Sequence, residues 1–390
     1  MSTTDLPPLA CPRCGSAGEG YAGCARCKRA DVPVNLVPPR ADLRGLTLEE
    51  YRGGPWGWPA AMPVAPLSGM GEGNSAHVVL TADGDKVLWL KDESRNPTGT
   101  HKDRAMTVGV AAAVASGAST VVAASSGNAG AAAAAYAARV GLRCVVLTQA
   151  SIPPVLAAQI SAFGAELVTC RDRETRNRTM EEAVTERGWY PLTNYVLPGA
   201  GDNPYGNEGY KSIAYELVRD LGSDVDAVVV PTSGADVLAG VERGYRELAE
   251  AGLVGRVPRL VAAETATGAS FTEALRLPDR SAQERAAVRW RPSPAFSIGS
   301  SAPTWQGLHA LWSTDGEAVA VQVDEYMSEH RRLPMISGLF LEASSVVAVT
   351  AARHLMRRDG ARRVAVLGTG SGLKGLTGDE LGVRGTEARS

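Results

Sequence analysis

From about Val87 to Gly368, short runs of β-branched and small apolar residues alternate with stretches of helical pattern, and this rhythm constrains the fold more than any other feature. VLWL precedes 103–116, TVVAA precedes 128–140, RCVVLT precedes 153–163 and ELVTC precedes 175–187. Further on, DAVVVP leads into 236–251, RLVAAE follows, AVAVQV leads into 324–332, and 341–358 comes before RRVAVLG. Strand runs flanked by Gly or Asn and followed by helices predict parallel sheets covered on both faces, an α/β architecture. The stretch PLTNYVLPGAGDNPYG at 191–206 is rich in Pro and Gly and reads as a crossing between two domains. At 390 residues and 44% apolar, the chain has material for more than one core.

Charge and composition exclude several classes. A net charge of -2 carries no basic footprint for nucleic acid. The richest apolar run, AMTVGVAAAVASGASTVVAASSGNAGAAAAAYAA, is built from Ala, Gly and Ser with turns at Ser116-Gly117 and Ser125-Ser126-Gly127, so it reads as core and not as a membrane span. The start, MSTTDLPPLACPRC, lacks a basic segment followed by an apolar one, and a cytoplasmic protein is expected. Four of the six cysteines form CPRC (Cys11, Cys14) and CARC (Cys24, Cys27), nine residues apart. Two such knuckles place four thiolates tetrahedrally around zinc, and a structural zinc ribbon is expected over 1–38.

Four loops fall where strands end, the edge at which open α/β sheets bind ligands. KDESRNPTGTHKDR brings Lys102 on a tight turn to the start of a buried helix. SSGNAG (Ser125 to Gly130) and PTSGADVLAG (Pro231 to Gly240) each place small residues at a helix start, where bare amides favour an anion. GTGSGLKG (Gly368 to Gly375) has GxGxxG spacing, but only 15 residues follow, too few for a dinucleotide-binding unit.

In this order the four loops, with NPYGNEGYKSIAYEL and LEASSVVAV, resemble the fold-type II pyridoxal-phosphate enzymes, and within them the threonine synthase group, over roughly 85–375. The resemblance implies two open, mostly parallel sheet domains: a large cofactor-binding domain from 39–112 and 200–390, and a small mobile one from 113–199. It also implies a homodimer acting on an amino acid, with no nucleic-acid or membrane partner. It assigns Lys102 as the lysine that carries pyridoxal phosphate and moves protons at Cα and Cβ. Burial is expected to lower its pKa. Asn128 aligns with the residue that bonds the cofactor's phenolic oxygen, and Ser125, Ser126 and the amides near Ala129 with the substrate carboxylate site. Thr232, Ser233, Gly234, Ala235 and Asp236 stand in the phosphate loop, where Asp236 is costly beside a phosphate unless it caps its own helix. Thr369 matches the hydroxyl near the pyridine nitrogen, a neutral group that suits elimination and replacement chemistry.

Departures from the family pattern keep the substrate open. His101 stands where Phe is common, Ser371 where His is common, and Ser297 where an Arg is often found, in a segment FSIGSSAPTWQGLHAL that resembles a substrate-side strand and helix. Lys211 and His101 are the two cations in view for a phosphate tail, with Ser300, Ser301 and Thr304 as hydroxyls. Three readings follow: a threonine synthase-type enzyme acting on phosphohomoserine, a β-elimination or β-replacement enzyme acting on a serine-like substrate, and a non-catalytic ligand-binding member of the fold.

Overall fold

The computed structural model of the chain describes residues 6–375 except Ser68, Ser126 and Asp359. In the leader, β1 (Leu9–Ala10) and β2 (Ala17–Gly18) pair antiparallel. β3 (His77–Asp83) and β4 (Lys86–Asp92) form a hairpin, and β5 (Thr120–Ala124), β6 (Arg143–Gln149), β7 (Glu166–Cys170) and β8 (Tyr190–Pro191) make a second sheet. β9 (Ala227–Pro231), β10 (Arg259–Thr265), β11 (Glu317–Val321) and β12 (Arg363–Gly368) return to the first. The large sheet has the order β11-β10-β9-β12-β4-β3 and the small one β7-β6-β5-β8. Every pairing in the two is parallel except β3 with β4. The α/β class and its two sheets are therefore as expected.

Burial explains why the runs are apolar throughout. All five residues of β9 are buried, as are the first four of β5, because helices cover both faces. The alanine-rich helix Asn128–Arg139 packs by smallness: Ala131 to Ala135 are all buried, which lets the helix Lys102–Ala115 and the small sheet approach it closely. Among the described residues no helix is long and apolar enough to cross a membrane.

Several elements depart from the expected pattern. The strand run VLWL has a partner, β3, whose mixed exposure left no clear apolar signal. A helix forms at Lys211–Leu221, and the helix expected in FSIGSSAPTWQGLHAL forms at Trp305–Ser313. The expected strand near Phe296 is absent, since 292–304 is irregular in this segment. The helix expected at 324–332 runs through Pro334 as Val323–Ser337 and forgoes one i→i−4 amide bond at the proline. The expected domain boundary at 112 lies inside the helix Lys102–Ala115.

Candidate active site and four-cysteine cluster

The central strands β9, β12 and β4 are neighbours, so their carboxyl ends deliver three of the four loops side by side: Thr232–Asp236, Thr369–Gly375 and the lysine turn. The lysine turn is held from both ends. Thr98 donates its amide and hydroxyl to the Asp103 carboxyl at 2.8 and 2.6 Å, Gly99 takes φ +80°, and the Ser371 amide donates to the Gly99 carbonyl at 3.0 Å. The Thr369 carbonyl accepts from the His101 amide, the Thr100 hydroxyl and His101 Nδ1, each at 3.0 Å. A carbonyl partner puts the proton on Nδ1. Burial and the Lys102 charge push His101 down to about 3, so the ring is neutral; it stacks on Tyr210 at 5.7 Å as an uncharged aromatic plate.

Asp103 and Arg104, which follow Lys102, are fully buried, so this charged stretch is not a solvated surface. Arg104 donates to Glu93 at 2.7 and 2.8 Å and to Glu216 at 2.8 and 2.7 Å, while Lys91 meets Glu216 at 2.6 Å. Lys102 itself projects from the helix start with a fifth of its side chain exposed; its Nζ donates to Asp202 Oδ2 at 3.2 Å and lies 5.7 Å from the centre of the Tyr210 ring. Burial pushes its pKa down, but Tyr210, Asp202 and Asp236 together outweigh burial and hold it above the usual lysine range. The expected lowering is thus reversed in this arrangement. Desolvation alone was legible in sequence; two acids, 100 and 134 positions further on, were not.

From the small sheet, β5 leads directly into Ser125, whose hydroxyl accepts from the Gly127 and Gly130 amides at 3.2 and 2.9 Å and so serves its own loop. Ser126 lies outside the described residues. Asn128, buried at the helix start beside a half-buried Ala129, donates through Nδ2 to Glu342 at 3.1 and 3.2 Å, while its Oδ1 is buried without a partner. Glu342, which sequence reading missed, is fully enclosed and pushed up by burial, against hydrogen bonds from Asn128 and Ser297. Lys374, also missed, donates to the Thr98 carbonyl at 2.5 Å, and burial lowers it to about 8. Phe296 closes over the loops: a Cβ on Gly127 or Gly375 would stand 3.7 or 3.5 Å from its ring.

The loop after β9 turns its hydroxyls away from the cleft. Thr232 donates to the Val230 carbonyl at 2.8 Å, Ser233 to Gly299 at 3.1 Å, and Thr304 to Gly234 at 2.8 Å. Ala235 takes a left-handed φ of 62° and opens the helix Asp236–Glu250, whose first amides have no intrahelical partner. Asp236 does not cap that helix. Its Oδ1 accepts from the Asp202 amide at 3.2 Å and Asn207 Nδ2 at 2.8 Å, and burial with Asp202 pushes it up to about 7. The expected capping is thus absent, and burial favours the neutral form of Asp236 instead. Thr369 Oγ1 lies 3.0 Å from Ser345 Oγ.

Lys211 corrects the expectation placed on it. It is buried, and its ammonium is spent on Glu208 at 2.8 Å, Glu247 at 3.1 Å and the Ala61 carbonyl at 2.7 Å. An ammonium with three committed protons has none for a substrate.

At the centre, the Glu342 amide donates to the Gly370 carbonyl at 3.0 Å, and a Cβ on Gly370 would fall 2.5 Å from Glu342 Oε1. Gly370→Ala is therefore expected to cost about 1–3 kcal/mol in urea unfolding and to weaken pyridoxal phosphate retention on dialysis. A variant matching wild type in both would show that Glu342 yields freely.

In the leader, the four Sγ atoms of Cys11, Cys14, Cys24 and Cys27 lie within 4.8 Å of one another, and the pairs Cys11/Cys27 and Cys14/Cys24 are each 3.7 Å apart. Zinc with four sulfur bonds of about 2.3 Å separates its sulfurs by roughly 3.8 Å. The cluster fits that ion. Pyridoxal phosphate is tested by the unpartnered Asn128 oxygen, by helix amides at the β9 loop and by a cleft-facing amine, and these fit a group with a phenolic hydroxyl, a phosphate and an aldehyde.

Comparison with known proteins agrees. The family described as pyridoxal-phosphate dependent enzyme matches residues 75–370. The threonine synthase of Methanocaldococcus jannaschii is 30% identical over 302 residues, 75% of this chain and 71% of that one. The threonine synthase of Synechocystis sp. is 31% identical over 356 residues, 88% and 86% of the two chains. Among solved structures, O-ureido-L-serine synthase shares the fold with a TM-score of 0.66 at 22% identity, over 81% of this chain and 95% of its own. With the match running through both sheets and the loops at the ends of β4, β5, β9 and β12, the chain belongs to the pyridoxal-phosphate dependent enzyme family.

Proposed function

We propose that this enzyme carries out elimination or replacement on an activated amino acid, most like the conversion of O-phosphohomoserine to threonine. The observation that carries the reading is the convergence of Lys102, the β9 loop and Thr369 from three adjacent strands, facing Asn128 from the other sheet. In this reading Lys102 carries pyridoxal phosphate and Thr232, Ser233, Gly234, Ala235 and Asp236 receive its phosphate, mainly through amides. Asn128 meets its phenolic oxygen and Thr369 its ring nitrogen. When bound, the cofactor withdraws electrons from the substrate's Cα. Lys102 Nζ moves the protons, at Cα and then Cβ. The loop of Ser125, Ser126 and Ala129 orients the carboxylate, and Phe296 lies against that loop and the one at Gly375. The domains of this reading are the leader 1–38, a large domain from 39–112 and 200–390, and a small one from 113–199 that moves on binding. The enzyme is read as a cytoplasmic homodimer with no nucleic-acid or membrane partner.

The experiment is a comparison of phosphohomoserine, phosphoserine and their acetyl counterparts, with borohydride reduction to place cofactor mass on a peptide. Label at Lys102 and preference for phosphohomoserine support the reading; label elsewhere overturns it. A second reading, β-replacement on a serine-like substrate, is favoured by a specific observation. Lys211 is sequestered, the Ser300 and Thr304 hydroxyls are given to carbonyls, and Ser297 faces Glu342 at 3.4 Å, so these residues supply no cation to a leaving phosphate. Preference for acetyl esters would select it.

The cysteine cluster is read as a structural zinc site. Metal analysis should find about one zinc per chain, and Cys11→Ser with Cys24→Ser should remove it. A metal-free wild type of full stability would refute this.

A further inference from the structure

Asp202 lies in the crossing segment 191–206 and has no place in the roles assigned above. Its setting is unusually complete. Its amide donates to Asp236 Oδ1 at 3.2 Å, its carbonyl accepts from Asn35 Nδ2 at 2.8 Å, and its Oδ1 accepts from the Asn194 amide at 3.0 Å. One atom remains, Oδ2, and it meets Lys102 Nζ at 3.2 Å. Asn35 and Asp236 thus fix the backbone of Asp202 while the Asn194 amide fixes its Oδ1, which leaves one carboxyl oxygen aimed at the lysine.

We propose that Asp202 is a positioning residue for the reaction, the fixed counter-charge that holds Lys102 Nζ toward the cleft and stabilises it whenever it bears a proton. This rests on the reading of Lys102 as the cofactor and proton-transfer lysine. When Lys102 takes a proton from the substrate's α-carbon, the C–H bond breaks, its electron pair stays with carbon and an N–H bond forms. Asp202 gains neither proton nor electrons; it faces the charge that appears on nitrogen, where a carboxylate already in place needs no reorganisation. The other groups facing Lys102 are Tyr210, neutral His101 and Asp236. Burial pushes Asp236 up to about 7, and the carboxyl group in direct contact with Lys102 Nζ, at 3.2 Å, is that of Asp202.

The test is Asp202→Asn in the holoenzyme. Asparagine keeps an oxygen for the Asn194 amide and loses the charge. The pH at which the near-visible cofactor absorbance changes is expected to fall by about 1–3 units, and the pH profile of kcat to shift the same way with KM little changed. Asp202→Glu should restore part of both. An absorbance transition and kcat profile identical to wild type would overturn the proposal. Should Asp202→Asn fail to fold, Asp202→Ser removes the same charge with a smaller side chain and should move the transition in the same direction, and an unmoved transition counts against the proposal. Borohydride labelling separates the two failures. Label on Lys102 with an unmoved transition sinks only the role of Asp202, whereas label elsewhere sinks the reading of Lys102.

Discussion

Lys102→Ala is expected to lower turnover by at least about 10²–10⁴-fold, the contribution of a positioned proton-transfer group, and to leave no borohydride-stable cofactor mass on its peptide. The variant should still fold, because the turn that carries it is held by Thr98, Thr100 and His101 and not by the ammonium. Its stability should nevertheless change with pH. Asp236 has its pKa raised to about 7 by burial, so its contribution is full below the unfolded carboxyl value and is lost as pH rises through 7. Lys102 opposes that rise, and its loss should push the Asp236 pKa higher and deepen the deficit at pH 8 relative to pH 5. Urea unfolding of both proteins at the two pH values measures this, with kcat from the same preparations. Near-full activity would remove Lys102 from the chemistry, and a pH-independent difference would remove Asp236 from its surroundings.

Arg104→Met is expected to be the most damaging single change outside the cleft. The guanidinium bonds both Glu93 and Glu216 with no exposure, and its removal leaves Glu93 with only Ser75 at 2.5 Å and Asn96 at 2.8 Å. Breaking a buried pair from one side costs about 3–5 kcal/mol. Adding Glu93→Gln should recover part of that loss, since the stranded charge goes with it. Despite burial, Arg104 and Lys91 hold Glu93 down at about 2 and Glu216 well below its ordinary value. For acids so depressed, stability is complete above the unfolded value of about 4.3 and falls away as pH drops toward 2. Wild type should therefore weaken through that acid range while Arg104→Met, already missing the term, changes less. A loss under about 1 kcal/mol would mean the network does not hold the lysine turn.

How much of this was legible depended on whether the signal was local. The strand runs from VLWL to RRVAVLG announced themselves because parallel strands covered on both faces must be apolar at every position. β3 escaped because it is an antiparallel edge strand, with Val79 more than half exposed and polar residues mixed through it. No strand run precedes the helices Lys211–Leu221 and Trp305–Ser313 to set a rhythm, and the second was legible through the resemblance of FSIGSSAPTWQGLHAL alone.

The loops show the same division. That Lys102, Asn128, the β9 loop and Thr369 stand where strands end is a matter of sequence order and turn chemistry, because a strand, a small-residue turn and a helix are contiguous in the chain. The four cysteines are likewise local, two knuckles nine residues apart. What each side chain faces is a different matter. Lys211 looked like a free cation at a helix start, yet the packing of its helix on Asp236–Glu250 brings Glu247 to it, and Glu208 lies one turn before. Asp202 lies in the Pro- and Gly-rich stretch 191–206 and drew no role from sequence, yet that segment carries it to Lys102. Periodicity and turn residues thus determined the architecture and the positions of the loops, since those depend on neighbours in the chain. The tertiary structure alone decided the charge of Lys102, the protonation of Asp236 and the absence of Lys211 from the cleft, because electrostatic energy depends on distance in space and these partners are brought together only by the folding of both sheets.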